Sequence, residues 1–336
     1  LLVIISFATL ILQAQAPKYS NEFLSIGVDA RSFGMSNSVV ATAVGAPAGY
    51  WNPAGMLEKP TSMQVALMHS EYFAGIAKYD YGAVTARMDN TSTAGISFVR
   101  FAVYHIPDTS ELIDADGNVN YDKVKSFSAI DFGLFLSYAK KTRIAGLSLG
   151  GSAKIVHRKV GDFANAWGFG LDFGLRYKKN NWQFGLVGRD ITSTFNAWTY
   201  NLNDNMIDVF TVTGNEIPKN SLEITLPRII AGAARTFNIS PKFALLAEAD
   251  LDITTDGKRN VLIKSDLLSI DPHMGIEFSY NDFLFIRGGV GNFQEETDVT
   301  GKTSVSFQPN VGLGLKIQDK VMIDYALTDL GNSSAA

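Results

Sequence analysis

The stretch Gly168-Phe169-Gly170-Leu171-Asp172-Phe173-Gly174-Leu175-Arg176-Tyr177-Lys178 decides how the chain is read. Phe169, Leu171, Phe173, Leu175 and Tyr177 fall on one face of an extended chain, and Gly168, Gly170, Asp172, Gly174 and Arg176 fall on the other. A period of two is that of a strand, because successive side chains point to opposite sides of the backbone. This strand has an apolar side and a small or charged side. Working outward, Ser304 to Ile317 repeats the pattern, with Val305, Phe307, Val311, Leu313, Leu315 and Ile317 opposed by Ser306, Gln308, Asn310, Gly312, Gly314 and Lys316. Phe243 to Ile253 repeats it with Glu248, Asp250 and Asp252 on the charged side, and Val321, Ile323, Tyr325 and Leu327 against Asp324 and Thr328 make a further copy.

Alternation is shared by soluble sandwiches and membrane barrels, so the connections have to separate them. Tight links are read near Asp89–Ser92, Lys140–Arg143, Lys178–Asn181, Asn238–Pro241, Asn281–Asp282 and Gln318–Lys320. Longer links are read near Ser70–Lys78, Ile106–Ser126, Lys159–Trp167, Ser193–Thr225, Thr254–Ser269 and Gln294–Thr303. Strict alternation of short and long predicts an all-β, transmembrane up-and-down antiparallel β-barrel with short periplasmic turns and longer outer loops. A sandwich would carry Greek-key crossings instead. Strands of about 10 residues suit a tilted span of the bilayer. Roughly thirteen strands are legible, whereas single-chain bacterial barrels have an even number. About 14 strands are therefore expected, the last missing from this chain, since Gly331 to Ala336 carries no alternation.

Composition agrees with an envelope protein. The 336 residues contain no cysteine, which excludes disulfide scaffolds and thiolate chemistry. With 29 Lys+Arg against 33 Asp+Glu, a net charge of −4, there is no basic footprint for nucleic acid. The apolar run Leu1–Leu12 is too short for a spanning helix, which needs about 20 residues. Followed by Gln13-Ala14-Gln15-Ala16, it reads as an export signal cleaved near Ala14 or Ala16. The expected division is a signal peptide at 1–16, an N-terminal hatch or plug at 17–60 and the barrel at 61–330. Tyr138, Tyr177, Trp182, Phe237, Tyr280 and Phe283 flank the short turns and Tyr104, Trp198 and Tyr200 the long loops, as interfacial belts would.

Residues that mimic chemistry are read otherwise. Gly146-Leu147-Ser148-Leu149-Gly150 matches a nucleophile-elbow pattern, but it lies inside a strand with no helix after it. Asp114-Ala115-Asp116-Gly117-Asn118 has the carboxylates of a calcium loop without its glycine spacing or closing Glu, and is read as a solvated turn. His69, His105, His157 and His273 show no metal spacing. Alternation puts Asp131, Asp172, Glu248, Asp250, Asp252, Glu277 and Asp324, with Arg100, Lys154, Arg176 and Arg189, on inward faces, where a mixed-charge lining is ordinary. No catalytic residue, metal or cofactor is expected.

Before the first strand lie Phe23-Leu24-Ser25-Ile26-Gly27-Val28-Asp29-Ala30-Arg31-Ser32-Phe33-Gly34-Met35 and the box Trp51-Asn52-Pro53-Ala54-Gly55. With these two motifs the chain resembles the PorV/PorQ family of Bacteroidetes outer-membrane proteins, a branch of the FadL-like barrels. They occupy about the first tenth of the mature chain, and one position departs: PorV-type members carry lysine where this chain has Gly55. The resemblance implies a plug-like segment folded into the barrel. Gly34, Gly45, Gly49 and Gly55 permit close backbone approach, and Asn52 can cap a short helix begun by Pro53, although a tight turn would use the same residues.

The resemblance further implies a non-enzymatic role in type IX secretion, binding the translocon barrel or the C-terminal signal domains of secreted proteins. FadL-like transporters offer the alternative, passive passage of hydrophobic small molecules. The outer loop Ser193–Thr225 bears on the choice. Phe195, Trp198, Tyr200, Met206, Ile207, Val209 and Phe210 are too apolar for a freely solvated loop. They are expected to close over the lumen or to meet a partner, with Phe195, Trp198, Tyr200 and Phe210 as the contact residues.

Overall fold

A computed structural model describes residues 20–58, 62–112, 118–297, 301–318 and 320–330. The proposed signal at 1–16, the Asp114–Gly117 carboxylate stretch and the tail Gly331–Ala336, read as carrying no strand, lie outside the described residues.

Every strand pairs antiparallel with its neighbours, and thirteen form one continuous path. They are β1 Met63–Tyr72, β2 Ala77–Arg87, β3 Ser92–Asp108, β4 Lys125–Lys141, β5 Leu147–Val160, β6 Ala164–Lys179, β7 Trp182–Arg189, β10 Arg228–Ser240, β11 Phe243–Thr254, β13 Ser269–Tyr280, β14 Leu284–Thr297, β15 Thr303–Ile317 and β16 Val321–Leu327. Short strands β8 Phe195–Tyr200, β9 Ser221–Ile224 and β12 Ile263–Lys264 lie off that path. Among the described residues no ladder joins β16 to β1.

The deciding stretch falls in β6 as expected, but the sides are inverted relative to a soluble sheet. Asp172 and Arg176 are buried, while Phe169 and Phe173 on the opposite face are exposed. The same holds around the wall: Lys154, Glu248, Asp250 and Arg287 are buried, and Leu134, Ile276 and Leu313 are exposed. A water-soluble sheet would bury the second set and expose the first. An outward apolar belt around a polar interior is the arrangement of a membrane barrel. Trp182 and Phe237 flank Arg235 on the exposed face near the short turns, with the guanidinium 5.1 Å and 4.8 Å from the two rings.

Two connections differ from the expected alternation of lengths. The links near Ser70–Lys78 and Lys159–Trp167 were read as long, yet only residues 73–76 and 161–163 separate the paired strands. In both cases the strands continue to the turn, and left-handed Phe73, Ala74 and Gly161 close it. Polar side chains in the strand ends had concealed this continuation.

The expected loop Ser193–Thr225 is also ordered differently. β7 and β8 lie end to end along β6, pairing with residues 173–179 and 164–169 of that strand. Between them Asp190 and Ser193 take left-handed backbone angles. β9 pairs with β8 and leads back into β10, which pairs with β7. The segment is thus a continuation of the β7–β10 pair beyond a kink, carrying a nine-residue helix, α3 Asp204–Val212, whose N-cap Asn203 accepts from the Met206 N–H. The buried Lys154 ammonium holds the kink, 2.8 Å from Asp172 and 2.5 Å from Asp190.

The apolar core lies inside this wall and is supplied largely by the segment before β1. That segment folds as a 3₁₀ turn Glu22–Leu24, short helices α1 Ala30–Gly34 and α2 Ala48–Trp51, and a 3₁₀ turn Pro53–Glu58. Val28, Met35, Val39, Val40 and Tyr50 pack there with Tyr79, Tyr81, Val99, Phe135 and Val187 from the strands. Each such buried side chain contributes roughly 1.5–3 kcal/mol.

Candidate functional site

The inward carboxylates act first on the backbone of the segment they surround. Asp250 Oδ2 accepts from the Val39 and Val40 N–H groups at 2.9 and 3.0 Å. Glu248 accepts from the Ala41 N–H at 2.7 Å and from the Thr42 hydroxyl. Non-helical backbone buried among apolar side chains must find partners, and charged acceptors make the stronger bonds. Arg176 Nε donates to the Ala41 carbonyl at 2.7 Å, and Arg31 and Arg287 both reach Glu277, at 2.9 and 2.6 Å. The inward charges are therefore sockets for the N-terminal segment, a role that alternation alone did not indicate.

The Trp51–Gly55 box is the main fastening. Trp51 Nε1 donates to the Val28 carbonyl at 2.9 Å. Fully buried Asn52 donates to the Val40 carbonyl at 2.9 Å and the β6 Leu175 carbonyl at 3.1 Å, while its Oδ1 accepts from the Ala54 N–H at 3.2 Å. Asn52 thus caps the following turn, which is 3₁₀ over Pro53–Glu58. A Cβ on Gly55 would land on the Ala43 carbonyl, so this backbone has no room for the lysine of PorV-type members. On the wall side, a Cβ on Gly150 would come within 2.5 Å of the Ala54 nitrogen. Ser148 of the elbow-like pentapeptide donates to the Ala54 carbonyl at 3.1 Å, and so serves this packing.

Above the segment, toward the long loops, lies a cavity of about 620 Å³. Its floor includes Ile26, Phe33 and Trp51, and its walls include Arg189, Arg228, Asp250, Asp252, Asp271 and His273. The Arg189 guanidinium lies 4.6 Å from the Tyr50 ring centre and 5.3 Å from that of Trp51, and donates to the Tyr50 and Leu24 carbonyls. Cavity and box thus meet at Trp51. Nothing in the sequence marked the cavity, because its lining combines the N-terminal segment with strands from β1 to β15 that only the fold brings together.

The expected contact residues of the 193–225 segment separate. Phe195 is exposed on the outer face of β8, whereas Trp198 and Tyr200 share the inner face and stack at 6.2 Å. Trp198 Nε1 donates to Glu223 at 2.5 Å, and the Arg158 guanidinium lies 5.1 Å from the Trp198 ring and 5.9 Å from Phe23. Phe210 is half-buried on α3. The kink also clasps the N-terminal segment: Asn196 donates to Asn21 Oδ1 at 3.0 Å, and Asn21 to the Thr225 hydroxyl at 2.8 Å.

Among solved structures the chain is similar to the CymD monoaromatic hydrocarbon channel, with a TM-score of 0.55 and 14% identity over 90% of this chain and 92% of that one. It is similar to the toluene transporter TbuX of Ralstonia pickettii, with a TM-score of 0.55 and 14% identity over 92% and 94%. For the toluene transporter TodX of Pseudomonas putida the TM-score is 0.54, with 14% identity over 90% and 91%. No protein-family model matches the sequence, and no curated protein matches it. At this identity the likeness is one of fold. The fold they share is an antiparallel outer-membrane β-barrel, here with a plug-like segment inside.

Proposed function

We propose that this chain is a passive outer-membrane transport barrel for small molecules with an apolar body and a polar end. The observation that carries the reading is the cavity of about 620 Å³ between the long loops and the N-terminal segment, within a fold shared with channels. Ile26, Phe33, Trp51, Tyr72 and Ile230 offer apolar surface, while the arginine and aspartate walls offer polar contacts. Such a mixture suits amphipathic solutes better than a pure hydrocarbon, which would leave charged groups desolvated without partners. The N-terminal segment forms the floor, so passage requires it to move.

A second reading, membership of the PorV/PorQ family and a role in type IX secretion, draws support from the Trp51–Gly55 box and from apolar side chains on the kinked extension. Val212 and Leu222 are 87% and 61% exposed there. Contiguous exposed apolar groups mark contact surfaces. In this reading the extension, with Phe195, Trp198, Tyr200 and Phe210, meets a translocon barrel or the C-terminal signal domain of a secreted protein.

Gentle detergent purification from the native outer membrane, with mass spectrometry of what stays bound, separates the two. Transport predicts a lone barrel carrying small amphipathic molecules. A stoichiometric partner barrel, or secreted proteins sharing one C-terminal domain, would replace it with secretion.

A further inference from the structure

Residues 250, 252 and 254 share the inward face of β11, and the register places Asp250 opposite His273, Asp252 opposite Asp271 and Thr254 opposite Ser269. All six line the cavity. Two carboxylates directly opposite one another across an antiparallel pair repel, so their juxtaposition needs a cation. The basic side chains beside this pair are already engaged, and Arg228 and His273 each leave one carboxylate oxygen over. Arg228 pairs with Asp252 Oδ2 at 3.1 Å, and His273 Nε2 lies 3.5 Å from Asp271 Oδ2. Arg259 is held by Asp256 at 2.5 Å and by Glu22 at 3.6 Å.

What remains on the cavity wall is rich in acceptors. Among the described residues, the buried side-chain atoms on that wall with no hydrogen-bond partner include Asn37 Oδ1, Asp252 Oδ1, Asp271 Oδ1, the Thr254 hydroxyl and a single N–H donor, Arg189 Nε. Thr254 is only 8% exposed, so solvent outside the cavity does not serve its hydroxyl. Buried polar atoms left unpaired are costly, and those of Asp252, Thr254 and Asp271 lie together on two adjacent strands. Among the described residues no three His, Asp or Glu side chains are grouped so as to hold a metal ion. An organic ammonium meets the need differently, with one positive charge and three N–H donors.

We propose that the Asp252, Thr254 and Asp271 wall is a binding site for the ammonium group of a small amphipathic amine whose hydrocarbon part lies toward Ile26, Phe33 and Trp51. The inference deepens the transport reading by naming the polar end of the ligand, and it rests on that reading for its purpose. Its test is binding rather than flux, so that either can fail alone.

The full chain in nanodiscs is titrated calorimetrically with hexylammonium, 1-hexanol and hexanoate, with empty nanodiscs as reference. Saturable binding is expected for hexylammonium, about tenfold or more tighter than for hexanol, because hydrogen bonds to a charged group carry the difference. Hexanoate should bind least. D271N, checked for an unchanged heat-modifiable shift, should weaken hexylammonium about tenfold and leave hexanol unaffected. Equal affinity for hexanol, tighter binding of hexanoate, or no saturable binding of hexylammonium to the unmodified protein would overturn the site, and none of these depends on a variant folding. Stoichiometric exclusion of hexylammonium by magnesium alone would overturn it in favour of a metal.

Discussion

Asn52 concentrates more of the structure than any other side chain in the N-terminal segment, because its amide joins three pieces of chain: the 39–42 stretch, the Pro53 turn and β6. Removing it in Asn52→Ala leaves buried backbone groups unpaired, at about 1–3 kcal/mol for each group. The expected result is a lower temperature for the heat-modifiable transition on gel electrophoresis, with strand content unchanged by circular dichroism. Glu58 acts at the rim of the same segment, 3.2 Å from both Arg176 and Lys178. Burial pushes its carboxyl up, but Arg176 and Lys178 outweigh this and hold it below the ordinary value of 4.5. A depressed carboxylate pKa stabilises the folded state above the unfolded value, and the gain is lost as pH falls through the folded one. Protease sensitivity of the N-terminal segment should therefore rise with acidification below about pH 4.5 in the unmodified chain and show a shallower rise in Glu58→Gln. Alternation made the inward placement of Asp172, Arg176, Glu248 and Asp250 legible from sequence. Their partners were not, since the Val39–Thr42 backbone that Glu248 and Asp250 hold lies about two hundred positions away and carries no local signal.

The kink between β7 and β8 shows how an element can differ from its sequence pattern. Residues Phe195 to Tyr200 alternate over too short a span to stand out as a strand, and only pairing with β6 fixes them in the wall. The kink depends on Lys154, whose ammonium lies buried between two aspartates. Lys154→Met leaves both carboxylates buried without their cation, a loss of about 3–5 kcal/mol by comparison with other broken buried pairs. It should lower the unfolding temperature far more than an outward substitution such as Leu313→Val. Trp198 and Phe210 test the extension beyond the kink. Replacing both by serine should raise protease cleavage within residues 201–220, because the bond from Trp198 to Glu223 is lost, while the heat-modifiable wall persists. Collapse of the wall would mean that the extension is required for folding. The short turns at 73–76 and 161–163 carry a related lesson, since polar residues at the outer strand ends face solvent and look like loop in sequence.

At the scale of the molecule, apolar residues outside and charged residues inside follow from one fact: lipid covers the outer face, and the N-terminal segment fills the inner one. The period of two together with the alternation of short and long links was enough for the barrel class, and the resemblance carried by the Trp51–Gly55 box pointed to an inserted segment. Which small molecule or protein meets the loop side depends on a cavity assembled from distant strands, and no single stretch encodes it. The central claim is that this cavity admits amphipathic solutes past a movable floor. Its most direct test is swelling of proteoliposomes in a series of small amphipathic solutes, with sucrose as the polar control. The account predicts solute-dependent swelling above that of empty liposomes, reduced when Trp51 and the wall are cross-linked through Trp51→Cys and Ile230→Cys. Liposomes that stay tight to every solute while the purified barrel retains a stoichiometric protein partner would contradict it.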